Sequence, residues 1–176
     1  MLGAEIYDPY NVESGLEKVA GIGLLDAVTV MQKEKRTLQV EAEICDDPGI
    51  LEGTQGLKVK GYEIHMGITT PGSGCRPFSM ICRNGNPALG QPDGACDKEG
   101  KVVGTYIHGI FDNSEFMMRI INNLRRKKGL HELDRQGLDH NEFKQMEYDR
   151  LAQLIREHVD MTKVYEIMNN WKEGTV

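Results

Sequence analysis

The stretch Val102-Val103-Gly104-Thr105-Tyr106-Ile107-His108-Gly109-Ile110-Phe111-Asp112-Asn113 constrains this chain more than any other. A β-branched, apolar run leads to a histidine, then to a glycine, then to a helix start. As one strand it would hold His108 rigidly at its end, with Gly109 leaving room above the ring. A general base needs that placement, because a neutral imidazole must meet a proton at hydrogen-bond distance. In an arbitrary protein a histidine at a buried strand end is more often a satisfied core residue, so the rest of the chain has to separate the two readings.

Length and charge set the outer bounds. At 176 residues the chain suits one domain with a full core and is short for two. Its 21 basic and 27 acidic side chains give a net charge of −6, which argues against a nucleic-acid backbone as partner. No apolar run is long enough to span a bilayer and no signal-peptide pattern opens the sequence, so no membrane role is expected. The four cysteines (Cys45, Cys75, Cys82, Cys96) include no C-x-x-C pair and have no histidine at zinc-finger spacing. A cytoplasmic protein with reduced thiols and no metal site is the expectation.

Taken in order, residues 1–6 read as the tail of a helix and residues 24–30 as a strand. Residues 37–44 alternate, with Leu38, Val40, Ala42 and Ile44 on one side and Gln39, Glu41 and Glu43 on the other, as in a half-buried strand. Asp46-Asp47-Pro48-Gly49 ends it as a loop. From Leu57 to Ile68 the apolar side changes parity: Leu57 and Val59 share one, while Tyr62, Ile64, Met66 and Ile68 share the other. A bulge at Gly61 is the predicted cause. Glu63 and His65 then face one side together, as a site wall or as an exposed polar face.

Residues 70–74 read as a loop, 78–83 as a short strand and 95–106 as a hairpin whose second arm delivers His108. Asp112 is the expected cap of a helix, with Glu115 completing a capping box and Phe116, Met117, Ile120, Ile121 and Leu124 as its buried stripe. The cluster Arg125-Arg126-Lys127-Lys128 complements the helix C-terminus and Gly129 stops it. From Asn141 a helix presents Phe143, Met146, Leu151, Leu154 and Ile155. Asp160 caps a last helix carrying Val164, Ile167, Met168 and Trp171, and these Met and aromatic positions are expected in the core. Strands then helices say only α/β or α+β.

Two spaced motifs narrow this. Gly61-Tyr62-Glu63-Ile64-His65-Met66-Gly67 and, some forty residues on, Gly104-Thr105-Tyr106-Ile107-His108-Gly109-Ile110-Phe111-Asp112-Asn113 resemble the glutamine amidotransferase part of cobyric acid synthase. Tyr148-Asp149-Arg150-Leu151-Ala152, Val159-Asp160 and Val164-Tyr165 are similar to its closing helices, so the resemblance covers nearly the whole chain. It implies an α/β fold of the class I glutamine amidotransferase type, with residues 1–176 as a single partial domain, the C-terminal portion. It implies a part in cobalamin synthesis, where ammonia released from glutamine is used with ATP and Mg to amidate carboxylates of a corrin ring. The partners implied are glutamine, a corrinoid reached through the parent enzyme, and a synthetase domain that would hold the ATP; no cofactor is expected on this domain.

In that family His108 matches the catalytic base, which takes the proton of a cysteine thiol so that thiolate attacks the glutamine amide. The cysteine belongs to a Gly-x-Cys-Gly-Gly turn ahead of a Met-Leu-Gly sequence, and here Met1-Leu2-Gly3 comes first. The expectation is therefore a fragment without its nucleophile, inactive alone, with open sheet edges and an uncovered apolar face. Tyr62, Glu63 and His65 are candidates for the glutamine pocket. Many class I glutamine amidotransferases carry His-x-Glu, the acid orienting the imidazole; position 110 here is Ile, and cobyric acid synthases resemble this sequence in lacking the acid, which leaves Glu63 or a backbone carbonyl for that task. The alternatives are a non-catalytic homologue that binds a corrinoid or a partner, and the related cobyrinic acid a,c-diamide synthase.

Overall fold

The computed structural model describes residues 1–45, 48–83, 86–134 and 140–173. They fall into two compact units, Met1–Gly137 and Leu138–Val176. The expected Asp46-Asp47 turn lies outside the described residues, as does the side chain of Trp171.

One extended antiparallel pair organises the first unit. A strand at Glu5–Tyr7 (β1) and one at Lys18–Ala20 (β2) precede the long strand Ala27–Ile44 (β3), which pairs along its length with Lys58–Pro71 (β4). On its other edge β3 carries β1 in parallel at one end, with β2 beyond it. After a short strand at Cys75–Arg76 (β5), Ser79–Arg83 (β6) pairs with the far end of β3 and with Asn86–Asp93 (β7). Ala95–Asp97 (β8) joins β5 and Val103–Gly104 (β9) in a separate three-stranded sheet. Ile107–His108 (β10) returns to the main sheet on the open edge of β4. The helix Ser114–Lys127 (α1) follows.

Burial on one face of the main sheet closes this unit. Val40, Ala42 and Ile44 of β3, Val59 of β4 and Ile107 of β10 pack with Phe78, Leu51 and, from α1, Phe116 and Ile120. A smaller cluster of Leu25, Ala27 and Ala95 joins the two sheets at the other end. The described residues form an α/β arrangement, with the helices following the strands.

The expected strand at 37–44 and the hairpin from 95 are present, and α1 ends as read: Gly129 is left-handed (φ +68) and Leu130 N–H donates to the Arg125 carbonyl (2.9 Å). Several local readings are corrected. Residues 1–6 are not a helix tail. Ala4 N–H donates to the Ala27 carbonyl (2.8 Å) and Gly21 N–H to the Ala4 carbonyl (2.9 Å), so the segment is threaded between β2 and β3. The strand expected at 24–30 begins only at Ala27, and Leu38, read as core, is exposed. The run to His108 is two strands in two sheets, broken at Thr105-Tyr106. The buried stripe of α1 is Phe116, Ile120 and Asn123, with Leu124 exposed, because Asn123 donates to the carbonyls of Ile50 (2.9 Å) and Glu52 (2.8 Å) and satisfies the turn beneath it.

There is no change of face at Gly61. The pairing of β3 with β4 runs unbroken from Arg36↔His65 to Glu43↔Lys58, and the irregularity lies in β3, between Met31 and Arg36. The inward face of β4 is therefore Val59, Gly61, Glu63, His65, Gly67 and Thr69. Tyr62, Ile64 and Ile68, taken for the buried set, point to the opposite face and are exposed.

The second unit contains His140–His158 (α2) and Met161–Glu173 (α3). Asp160 caps α3 as expected, its Oδ1 accepting from Lys163 N–H (3.1 Å). Within this unit the apolar stripe is not buried: Phe143, Met146, Leu151, Leu154, Ile155, Ile167 and Met168 are all exposed, as a helix pair taken by itself leaves them. No described helix is long and apolar enough to cross a membrane.

Candidate functional site

Antiparallel pairing sorts the four candidate residues by face. His108 is the register partner of Tyr62, and Ile107 is the partner of Glu63. Paired residues point the same way, so His108 and Tyr62 share one face, where both are exposed. Glu63 lies on the other face, 2% exposed, and His65 lies on that face too. The structure thus brings Tyr62 to His108 and turns Glu63 and His65 away from it. Glu63 cannot orient the His108 imidazole through the thickness of the sheet. Among the described residues the His108 ring makes no hydrogen bond.

The main chain around His108 is held tightly. Gly61 lies under β10, where a Cβ would come within 2.3 Å of the His108 carbonyl oxygen and 2.5 Å of Ile107 Cγ2. Gly109 adopts the left-handed region (φ 76, ψ 18) and turns the chain into the 3-10 turn Ile110–Asp112. On the approach, buried Asp93 accepts from Thr105 Oγ1 and from Tyr106 N–H (3.2 Å), and Thr105 Oγ1 in turn accepts from Ile107 N–H (3.0 Å). That set fixes the two residues between β9 and β10.

Glu63 and His65 belong to a polar layer inside the fold. His65 Nδ1 lies 2.6 Å from the Gly67 carbonyl oxygen and Nε2 lies 3.0 Å from Glu63 Oε1. A carbonyl and a carboxylate both accept, so each ring nitrogen of His65 faces an acceptor. On the other side of the carboxylate, Arg36 Nε lies 3.1 Å from Glu63 Oε2. The ring stacks on Tyr106 (centroids 4.1 Å, 15°), whose hydroxyl is 2.6 Å from Thr69 Oγ1. Gln91, with its amide oxygen toward Arg36, accepts from the guanidinium (2.8 Å).

Burial pushes the Asp93 carboxyl above its ordinary value of 3.8, with the Glu63 charge adding to the rise and the Thr105 and Tyr106 bonds opposing it. A raised acid favours the protonated native form. Its contribution to stability is therefore full below 3.8, the unfolded value, and is lost as pH rises through the higher folded value. Asp93→Asn removes the titration. The difference in unfolding free energy, parent minus variant, should fall with rising pH across that window and then level off, as urea melts at stepped pH would show. A difference independent of pH would refute it.

None of the four cysteines reaches His108. Gln39 is level with Tyr62, and Cys45 lies six residues further along the chain, just past the end of β3 and about 20 Å away. Cys82 on β6 is three strand spacings from β10, about 14 Å, and burial pushes its thiol up, away from the reactive thiolate. Cys75 and the fully buried Cys96 are in the other sheet.

Residues 1–116, which include both motifs, match the model of the CobB/CobQ-like glutamine amidotransferase domain. The chain belongs to this family. It is 44% identical to a cobyric acid synthase of Thermoanaerobacter sp. (strain X514), 42% to one of Streptococcus sanguinis (strain SK36) and 43% to one of Citrobacter koseri. These matches cover 98%, 96% and 98% of the chain but 34%, 32% and 33% of the relatives, so it spans about a third of their length. Within this family domain the parts that sequence reading missed are Asp93, left just outside the hairpin expected from residue 95, and Asn113, passed over for Asp112. Arg36 carries no local signal, because its role depends on a partner across the sheet.

Proposed function

We propose that this chain is the base-bearing part of the glutamine-hydrolysing site of a cobyric acid synthase. The observation that supports it best is His108 itself, exposed on a sheet face at the end of β10, with Tyr62 beside it and glycines beneath and after it. On this reading the Nε2 or Nδ1 of neutral His108 takes the proton of a cysteine thiol supplied from outside these 176 residues. The thiolate adds to the carboxamide carbon of glutamine, His108 returns the proton to the departing ammonia, and water then cleaves the thioester to glutamate. Tyr62 lines the glutamine pocket, while Glu63 and His65 serve the interior. ATP and Mg act in a synthetase portion of the longer enzyme, where the ammonia amidates corrin side-chain carboxylates.

The remoteness of the four cysteines gives the test. Ammonia release from glutamine by the purified chain should equal background, and neither thiol alkylation nor His108→Ala should change it. Release above background that disappears under both treatments would mean that one of the four cysteines is a working nucleophile and that this assignment of parts is wrong.

A further inference from the structure

We propose that Asn113 is a positioning residue for His108, its side-chain amide standing in for a peptide group at the end of the β10–β4 ladder. The proposal rests on the reading of His108 as the base. After the pairs Ile107↔Glu63 and His108↔Tyr62, a continuing strand would place residue 110 opposite Lys60. The chain instead turns away at left-handed Gly109. Lys60 is left with a backbone donor and acceptor on that edge, and Asn113 meets both. Lys60 N–H donates to Asn113 Oδ1 (2.8 Å), and Asn113 Nδ2 donates to the Lys60 carbonyl (2.9 Å). Those are the two bonds that one residue of an antiparallel strand exchanges with its partner.

The same Nδ2 donates to the Ile110 carbonyl (3.0 Å) and, more weakly, to the Gly109 carbonyl (3.4 Å). One amide therefore ties β4 to the turn that begins immediately after His108. The amide orientation follows from its partners, since Lys60 N–H requires an acceptor and three carbonyls require a donor.

Asn113 is also the N-cap of α1, with extended dihedrals (φ −80, ψ 98), yet its side chain makes no capping bond to the helix. A residue present only for helix stability would turn its oxygen back to the first free N–H groups. Here that bond is forgone for the strand. The arrangement also answers how His108 is held without an acid two residues later, where Ile110 stands. With no bond to its ring among the described residues, the imidazole goes where its main chain goes, and Asn113 together with the close approach at Gly61 fixes that main chain.

Asn113→Ala tests this in the full-length enzyme, with glutamine hydrolysis resolved into kcat and KM. The expected result is a fall in kcat of about tenfold to a hundredfold, the scale of a small misplacement of a reacting group, with KM for glutamine within about twofold. In the chain itself, hydrogen exchange of the Lys60 amide should accelerate at least about tenfold, while amides in the β3–β4 pairing do not change. A capping role alone would speed exchange in the first turn of α1 and leave kcat per folded molecule intact. A parent-like kcat in Asn113→Ala, or unchanged protection at Lys60, overturns the proposal. Should His108→Ala retain full glutaminase activity, it is the reading of the base that fails. Loss in His108→Ala with no loss in Asn113→Ala removes the positioning role alone.

Discussion

His108→Ala in the full-length enzyme is expected to lower glutamine hydrolysis by about 10²–10⁴-fold, the contribution of a positioned general base. Amidation supplied with free ammonia should continue near the parent rate, because that route bypasses the thiol and its proton. The argument is geometric. The imidazole stands on the open face of the sheet, at the end of a two-residue strand whose main chain is clamped on three sides. Ile107 is buried beneath it, Asp93 secures the residues before it, and Asn113 secures the turn after it. Alanine keeps all of these, so the variant folds as the parent does and the loss isolates the ring. Loss of both glutamine- and ammonia-dependent amidation would point to a structural role. Loss of neither would remove His108 from the reaction.

The sequence showed this residue because its signal is local: an apolar run, a histidine, a glycine and a helix start. It misjudged the neighbours for a physical reason. Periodicity tells which residues share a face and is silent on which face meets the core. On β4 the apolar set Tyr62, Ile64 and Ile68 was taken as inward, which forced a bulge at Gly61 and put Glu63 and His65 outside. The structure reverses both assignments. Glu63 and His65 can be buried because they contact each other and Glu63 is ion-paired with Arg36, a partner 27 positions upstream that no window of local sequence contains. Asn113 was hidden differently. Asp112-Asn113-Ser114-Glu115 offers several capping residues in succession, and only the three-dimensional position of Lys60 shows that the second of them serves the strand.

Glu63→Ala carries the largest expected effect on stability, a loss of about 3 kcal/mol. Removing the carboxylate leaves the His65 imidazole and the Arg36 guanidinium without their common partner, inside a layer where His65 is already mostly withdrawn from water. The value belongs at the low end for a broken buried pair, since the Arg36 side chain is 39% exposed and turns to water more cheaply than His65, at 12%. Glu63→Gln should lose less. Its amide oxygen still accepts from His65 Nε2, although its amino group then faces Arg36 as a second donor. Denaturant unfolding of the three proteins should rank them parent, Gln, Ala. A change under about 1 kcal/mol in Glu63→Ala would mean that the layer is hydrated and its partners interchangeable with water. The kinetic result separates this role from the one the sequence allowed. If Glu63 oriented the base, Glu63→Gln would cut kcat in proportion to His108→Ala. On the opposite face of the sheet, it should leave the turnover of the folded enzyme within about twofold and show its effect in the melt alone.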